Sequence, residues 1–276
     1  MNSHQIKNVI DEIRDELSGF SIAESNLEKF NLNLRADTEF LSYVNGTGGS
    51  YVKFLALLVR KLSPKNIVEL GNREGISTLA IYDQLPADSH FTTIDIVEDQ
   101  RYCPRAMFTD ERVSFIFGDV CSLDVIKQVP FDIDLLFSDT IHFDFQIRDE
   151  FAIYQYLLAD TALVAVDDIH TNDKGLFWDS ITSDKWDLTE LCHTPGGWGL
   201  FLYERKEPSS KEVRWKHLTE AAALIWERKY TEIAEREELR ESKMLRNRAK
   251  EFLKQSPFIY RILISAKNAF DQAFKK

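Results

Sequence analysis

The chain has 276 residues, a hydrophobic fraction of 44% and a net charge of −11, which fits a globular protein with one sizeable domain and an appendage. Its three cysteines are few and lack metal-ligand spacing, which excludes a disulfide framework and favours a reducing compartment. No signal-peptide pattern or bilayer-spanning apolar run occurs, so we expect a cytoplasmic protein, at most peripheral to a membrane.

The first 49 residues are predicted to be mainly helical. Apolar residues recur at helical spacing between residues 4 and 20, and a second, shorter helix is expected around Thr38–Val44. The segment Asn45–Gly49 has the composition of a flexible turn. Ser50 is then predicted to cap a helix over Tyr51–Leu62.

Apolar strands and amphipathic helices alternate after this point. A first strand begins at Ile67, and further strands are predicted at Phe91–Ile96, Val113–Phe117, Ile133–Phe137 and Ala162–Val166. Helices are predicted at Ile76–Gln84, Leu123–Gln128 and Ile147–Leu158. The strands are apolar without strict alternation, as expected when both faces of a sheet are covered. The pattern predicts an α/β fold with a Rossmann-like, doubly wound sheet.

Two last strands, Trp186–Cys192 and Gly199–Glu204, are predicted to close the sheet. The link Thr194-Pro195-Gly196-Gly197 favours a type II turn, because proline and glycine suit its two central positions. The prediction is therefore a mostly parallel sheet with one antiparallel strand in a C-terminal hairpin. A dinucleotide-binding Rossmann sheet is usually parallel throughout.

The chain changes character after Lys206. Residues 206–276 hold 17 Lys/Arg and 11 Asp/Glu, whereas the rest is strongly acidic, so we expect no nucleic-acid binding by the acidic body. A capping box at Ser209 starts a long charged helix that is predicted to reach about Gln255. An apolar stripe over Ile259–Phe274 then indicates an amphipathic helix, which packs on the long helix or a second subunit, or binds a membrane surface or a partner.

We therefore expect three parts: an N-terminal helical segment over residues 1–49, a ligand-binding domain over residues 50–206, and a helical extension over residues 207–276. Acidic residues of the central part collect at the predicted carboxyl ends of its strands, where open α/β sheets bind ligands. They are Glu69, Asp95, Asp119, Asp139, Asp167 and Asp168. Gly71 and Gly75 follow the first strand and open a helix, an arrangement that lets backbone N–H groups approach a nucleotide-like ligand.

The segment from Ser50 to Lys206 resembles the class I S-adenosylmethionine (SAM)-dependent methyltransferases. The resemblance implies that Asp95 holds the ribose hydroxyls and that Asp119, after Gly118, accepts a hydrogen bond from the adenine amino group. The full set of cofactor-binding residues that it implies is Glu69, Gly71, Asn72, Gly75, Ser77, Asp95, Asp119 and Val120. Arg73 departs from the pattern, since many members have a glycine there.

The second half is similar to the metal-dependent small-molecule O-methyltransferases and the related cephalosporin-hydroxylase-like branch. The similar segments are Phe137–His142, Val164–Ile169 and Gly197–Leu200. This resemblance implies a Mg²⁺ site formed by Asp139, Asp167 and Asp168, with His142 as general base and Asp139 beside it in the catalytic set. The alternatives are that Asp167 and Asp168 only cap the next segment and that His142 is an ordinary surface histidine.

The sequence thus predicts a SAM-dependent methyltransferase that methylates oxygen on a small hydroxylated molecule of the sugar or natural-product type, with Mg²⁺ assisting. Two other functions stay open. Asp95 would also suit the ribose of NAD in an oxidoreductase, although the Gly-x-Gly-x-x-Gly spacing is missing. The chain could instead be a methyltransferase-like scaffold that binds a partner through its helical tail.

Overall fold

The computed structural model describes residues 2–22, 46, 49–98, 102–207 and 209–255. Contacts divide the chain into two units, Met1–Ala223 and Leu224–Lys276. Two predicted elements, the short helix around Thr38–Val44 and the amphipathic helix over Ile259–Phe274, lie outside the described residues. Within the described part, no helix combines the length and the apolar composition needed to cross a bilayer.

The first unit contains a seven-stranded sheet. Its strands are β1 (Asn66–Leu70), β2 (His90–Asp95), β3 (Val113–Phe117), β4 (Ile133–Ser138), β5 (Leu158–Asp167), β6 (Lys185–Asp187) and β7 (Trp198–Glu204). The order across the sheet is β3-β2-β1-β4-β5-β7-β6. Strands β1 to β5 pair in parallel, whereas β7 is antiparallel to both β5 and β6. The predicted fold class is confirmed.

The strand order reverses between β1 and β4, which pair directly with Leu70 opposite Ser138. The chain runs outward from β1 to β3 and then returns to the other side of β1. A crevice opens at the carboxyl ends of the strands at such a switch point, and open α/β sheets bind their ligands there.

Helices cover the sheet. In the first unit they are α1 (Ser3–Glu16), α2 (Ser50–Leu62), α3 (Ile76–Asp83), α4 (Leu123–Ile126), α5 (Asp144–Tyr154), α6 (Gly175–Ser180) and α7 (Thr189–Cys192), with a 3₁₀ helix at Arg105–Thr109. A further helix, α8 (Lys211–Gln255), begins in the first unit and continues into the second. The N-terminal stripe of Ile6, Ile10 and Ile13 is buried in α1, as its spacing predicts. In the core, the Phe54 ring of α2 meets the Trp198 ring of β7 at 5.2 Å.

The predicted strand over Trp186–Cys192 is wrong in its second half. Strand β6 ends at Asp187, whose carboxylate accepts hydrogen bonds from the backbone N–H (3.0 Å) and the hydroxyl of Thr189. This Asx-type contact turns the chain, and residues 189–192 form the short helix α7. The sheet is therefore closed by two strands that a helix and a turn separate.

The link before β7 is not the predicted type II turn. Gly197 N–H donates to the Thr194 carbonyl at 3.0 Å, but the positive φ lies at Gly197 and not at Gly196, where a type II turn requires it. Gly196 is needed for space, since a Cβ there would lie 1.6 Å from Asp168 Oδ1. Ser50 is also not the N-cap of α2, because the helix begins with Ser50 itself after Gly49.

Candidate functional site

The glycine loop after β1 lies directly against the backbone that follows β4. Gly71 has φ +84°, and a Cβ there would lie 2.1 Å from the carbonyl oxygen of Asp139. Gly71 N–H donates to the Ile94 carbonyl at 2.8 Å, and Asp139 N–H donates to the Leu70 carbonyl at 2.8 Å. Only glycine combines this φ with this close approach. The loop therefore forms the wall of the crevice at the switch point.

The rest of the loop keeps a glycine-like backbone although one of its residues is arginine. Gly75 has φ +90°, and a Cβ there would meet Cys103 Sγ at 2.4 Å. Arg73 has φ +44°, a left-handed conformation that costs a residue with a Cβ about 1 to 2 kcal/mol. Arg73 therefore departs from the family pattern in residue type, but it adopts the left-handed conformation that glycine favours.

Asp95, at the end of β2, binds this loop. Its Oδ2 accepts the backbone N–H groups of Asn72 (2.8 Å) and Arg73 (2.7 Å). Its Oδ1 accepts the backbone N–H of Val97 at 2.8 Å. A carboxylate offers about four acceptor positions, so these bonds fix its orientation and leave about one position for a ligand hydroxyl.

Glu69 lies behind the loop and is fully buried. Its carboxylate accepts hydrogen bonds from the hydroxyls of Ser77 (2.5 Å), Thr78 (2.7 Å) and Thr93 (2.6 Å). Burial raises the pKa of Glu69 to about 7, and the three hydroxyl bonds act in the opposite direction. Glu69 and Ser77 thus join β1 to the first turn of α3, and they support the glycine loop from inside the protein.

Asp119 and Val120 follow β3 on the neighbouring side of the crevice. Gly118 N–H donates to the Asp95 carbonyl at 2.8 Å, which places this segment beside the end of β2. Asp119 Oδ1 accepts the backbone N–H of Cys121 at 2.8 Å, and the Val120 carbonyl accepts the Tyr154 hydroxyl at 3.0 Å. The predicted cofactor residues after β1, β2 and β3 therefore lie along one continuous edge.

A second group of polar side chains lies at the ends of β4 and β5. His142 Nδ1 is 2.7 Å from Asp168 Oδ2, and its Nε2 is 3.9 Å from Asp139 Oδ1. One ligand atom from each of Asp139, His142 and Asp168 lies within 4.8 Å of the others. We call these three residues the acidic cluster.

The backbone is arranged to bring this cluster together. Asp168 has φ +58°, a left-handed conformation that aspartate tolerates better than most residues. Thr171 Oγ1 donates to Asp168 Oδ1 at 3.0 Å, and Asn172 Nδ2 donates to the His142 carbonyl at 3.0 Å. The loop after β5 thus holds both the carboxylate and the loop that carries the histidine.

Asp167 lies directly before this group and is almost fully buried. Its Oδ1 has no hydrogen-bond partner among the described residues. Burial raises the pKa of Asp167 well above its usual range, and the charges of Asp139 and Asp168 raise it further. Burial also raises the pKa of Asp139, to about 6, while the positive charge of Lys174 acts in the opposite direction.

Two residues beside the cluster were not predicted from the sequence. Lys174 is fully buried at the start of α6, and Glu150 is buried in α5, where it accepts bonds from Ser138 and Thr140. Glu150 lies within α5 and Lys174 at the end of the loop after β5, directly before α6, and only the fold brings them to β4. No signal in the sequence marks either one.

A family model described as O-methyltransferase matches residues 29–188, more than half of the chain. A comparison with curated proteins finds no match.

Solved structures that resemble the chain are distant in sequence. An S-adenosylhomocysteine (SAH)-bound methyltransferase from Podospora anserina is 16% identical, with a TM-score of 0.49 over 75% of this chain and 97% of the other. The O-methyltransferase TomG from Streptomyces achromogenes, involved in tomaymycin synthesis and solved with SAM, is 17% identical, with a TM-score of 0.46 over 62% of this chain and 91% of the other. A Bacillus cereus O-methyltransferase in complex with SAH is 16% identical, with a TM-score of 0.45 over 67% and 98%.

Proposed function

The chain belongs to the O-methyltransferase family of class I SAM-dependent methyltransferases, and from this premise we propose that it transfers the SAM methyl group to a hydroxyl of a small molecule. The observation that carries the proposal is that a glycine loop bound by Asp95 lies on the same sheet edge as the paired His142 and Asp168. One half of this edge suits a nucleoside, and the other half suits a hydroxyl that must lose its proton.

We propose that the nucleoside lies over the ends of β1, β2 and β3. The Gly71–Gly75 loop exposes backbone next to the crevice, and Asp95 has about one acceptor position left for a ribose hydroxyl. Asp119 and Val120 are proposed to face the adenine. Asn72 helps indirectly, because its Nδ2 donates to Thr93 at 2.9 Å. Glu69 and Ser77 act through the loop.

His142 is proposed to be the general base. The bond between Nδ1 and Asp168 Oδ2 at 2.7 Å favours the tautomer with hydrogen on Nδ1, which leaves the Nε2 lone pair to accept a proton from the acceptor hydroxyl. The side chain is 39% exposed, so a substrate can reach it. The methyl group then passes to the oxygen by direct displacement, and the sheet edge contributes mainly by holding the two reactants in line.

The carboxylates beside His142 support the Mg²⁺ ion that the sequence predicts. A carboxylate oxygen of Asp139 lies within 4.8 Å of one of Asp168. Asp167 Oδ1 is buried without a partner among the described residues. These are the hard oxygen donors that Mg²⁺ prefers. A bound Mg²⁺ would lower the pKa of an acceptor hydroxyl. We propose that Asp139, Asp167 and Asp168 hold it, and that His142 stays available to take the proton.

Exposed apolar side chains lie in the segments that follow β4 and β5. Ile141, Phe143, Phe145 and Leu176 are all about half exposed, and the two phenylalanine rings stack with centroids 5.9 Å apart. Exposed apolar side chains grouped beside polar ones mark a ligand-binding surface. They favour an acceptor with an apolar body next to its hydroxyl, of the natural-product type.

The test is methyl transfer itself. Purified protein is incubated with methyl-labelled SAM, Mg²⁺ and a panel of hydroxylated small molecules, and labelled products are counted after extraction. We expect transfer to at least one apolar-bodied hydroxylated acceptor, with Asp168→Asn and His142→Gln reducing it and the exposed Glu98→Gln leaving it unchanged. Transfer that neither variant reduces would overturn the roles of His142 and Asp168. Reduction of NAD by the same panel, without methyl transfer, would favour the oxidoreductase alternative.

A further inference from the structure

The acidic cluster has a lysine enclosed beside it that the proposed reaction does not use. Lys174 is fully buried, and the backbone holds it in place. Its N–H donates to the Thr171 carbonyl at 3.2 Å, and its carbonyl accepts the N–H of Phe177 at 3.1 Å as α6 begins. Lysine is almost never fully buried unless its charge is compensated, so the surroundings of its ammonium group need an explanation.

The ammonium group is compensated by charge rather than by direct bonds. Its Nζ is buried and has no hydrogen-bond partner among the described residues. Its positive charge nevertheless acts on Asp139, on Glu150 and on Asp167. These carboxyls come from the end of β4, from α5 and from the end of β5, so the ammonium lies among three different elements.

Glu150 is not the partner that explains why the Lys174 ammonium group is buried. Its carboxylate already accepts hydrogen bonds from the Ser138 hydroxyl (2.8 Å), the Thr140 hydroxyl (2.6 Å) and the Gln146 amide (2.7 Å). Asp167, by contrast, has a buried oxygen with no partner among the described residues. Lys174 Nζ and Asp167 Oδ1 are thus both buried without a partner among the described residues, and the charge of Lys174 acts on Asp167, which is one of the residues proposed to hold Mg²⁺.

We propose that Lys174 supplies a fixed positive charge beside Asp139, Asp167 and Asp168 and so limits how tightly these carboxylates hold a divalent cation. The inference rests on the proposed cation site. A fixed charge repels a second cation most strongly where water is excluded, and Lys174 is enclosed. The protein alone then binds the ion weakly.

The experiment measures Mn²⁺ binding to the full chain by electron paramagnetic resonance of the free ion, with Mg²⁺ as competitor. Lys174→Met removes the charge and keeps most of the volume, whereas Lys174→Arg keeps the charge. The matched control is Lys185→Met, because Lys185 also contacts α6 but donates to the Trp178 carbonyl at 2.7 Å. We expect Lys174→Met to bind Mn²⁺ at least about tenfold more tightly, and the two other variants to stay within about twofold of the parent protein.

An unchanged or weaker Mn²⁺ affinity in Lys174→Met overturns the proposal, because a lysine that only fills space would not tighten the site when its charge is removed. A second comparison covers the case in which this variant does not fold. Glu150→Gln/Lys174→Met removes one charge of each sign, and it must bind Mn²⁺ more tightly than Glu150→Gln alone. Equal affinity in this pair also overturns the proposal.

The result is separable from the proposed function, because Mn²⁺ affinity is read without SAM or an acceptor. SAH binding is measured on the same samples by calorimetry. If no sample binds SAH, the methyltransferase proposal fails, while the Mn²⁺ comparison still decides the role of Lys174. If SAH binds and Lys174→Met does not tighten the cation site, only the inference about Lys174 fails.

Discussion

Replacing Glu69 by glutamine should remove a pH dependence of folding stability. Glu69 is fully buried among three hydroxyls, and burial raises its pKa from 4.5 to about 7. Between these values the folded chain keeps a proton that the unfolded chain has lost. The stabilising contribution of this proton is therefore complete below about pH 4.5 and is lost as the pH rises to about 7.

The magnitude follows from the two pKa values of Glu69. Each pH unit between the pKa values of the folded and unfolded states is worth about 1.4 kcal/mol, so the difference between 4.5 and about 7 corresponds to about 3 kcal/mol. Glutamine resembles the protonated carboxyl and does not titrate. The free energy of unfolding of Glu69→Gln, relative to the parent protein, should therefore rise by about 3 kcal/mol from about pH 4.5 to about pH 7.5.

The assay is urea unfolding followed by tryptophan fluorescence at constant ionic strength, with parent and variant compared at each pH. Taking the difference removes the contributions of the other titrating groups, which both proteins share. Glu98→Gln, on the exposed surface, serves as the control and should give a difference that does not change with pH. Parallel stability curves for Glu69→Gln and the parent protein would refute the reasoning, because they would mean that Glu69 is ionised in both states.

Three further predictions concern the loop, the base and the extension. Gly71→Ala should lower the free energy of unfolding by about 2 kcal/mol and abolish SAH binding, because its Cβ would lie 2.1 Å from a backbone oxygen; thermal unfolding and calorimetry measure both. Asp168→Asn should lower kcat by about 10² to 10⁴ and leave SAH affinity unchanged, because the asparagine has no negative charge with which to hold His142. Arg214→Met should cost about 2 kcal/mol in urea unfolding, because the buried guanidinium binds Asp132 at 2.7 Å.

Each of these predictions has an outcome that would contradict it. Normal stability and SAH affinity in Gly71→Ala would mean that the loop moves away from β4. An Asp168→Asn variant with full kcat would show that His142 needs no partner, and a variant that loses SAH affinity would place Asp168 in the cofactor half of the site. An Arg214→Met variant as stable as the parent would mean that the start of α8 contributes nothing to the first unit.

The parallel strands and the edge that carries the site were predictable from the sequence. Strands such as β1 are buried on both faces, so they appear as short apolar runs without alternation. The parallel connection of successive strands then requires their carboxyl ends to share an edge. This is why Asp95, Asp139 and Asp168 could be assigned to one edge without any structure, while the three-part division at residues 49 and 206 stays a prediction.

Other features depend on contacts that no local pattern records. The strand predicted to end at Cys192 stops early because the Asp187 side chain bonds to the backbone N–H two residues later, and this competes with the strand. The resemblance includes Glu69 among the cofactor-binding residues, but it does not show that the carboxylate is enclosed by hydroxyls from α3 and β2. Lys174 lies far from Asp139 in the chain, and only the packing of α6 brings their charges together.

The central claim is that the glycine loop and Asp95 bind the nucleoside of SAM. Isothermal titration calorimetry of SAH into the full chain tests it most directly, with Asp95→Ala as the variant and Glu98→Ala as the exposed control. The account predicts binding at one site per chain, affinity at least about tenfold lower in Asp95→Ala, an unchanged control, and no heat from NAD. Absence of SAH binding by the parent protein, or equal affinity in Asp95→Ala, would contradict it.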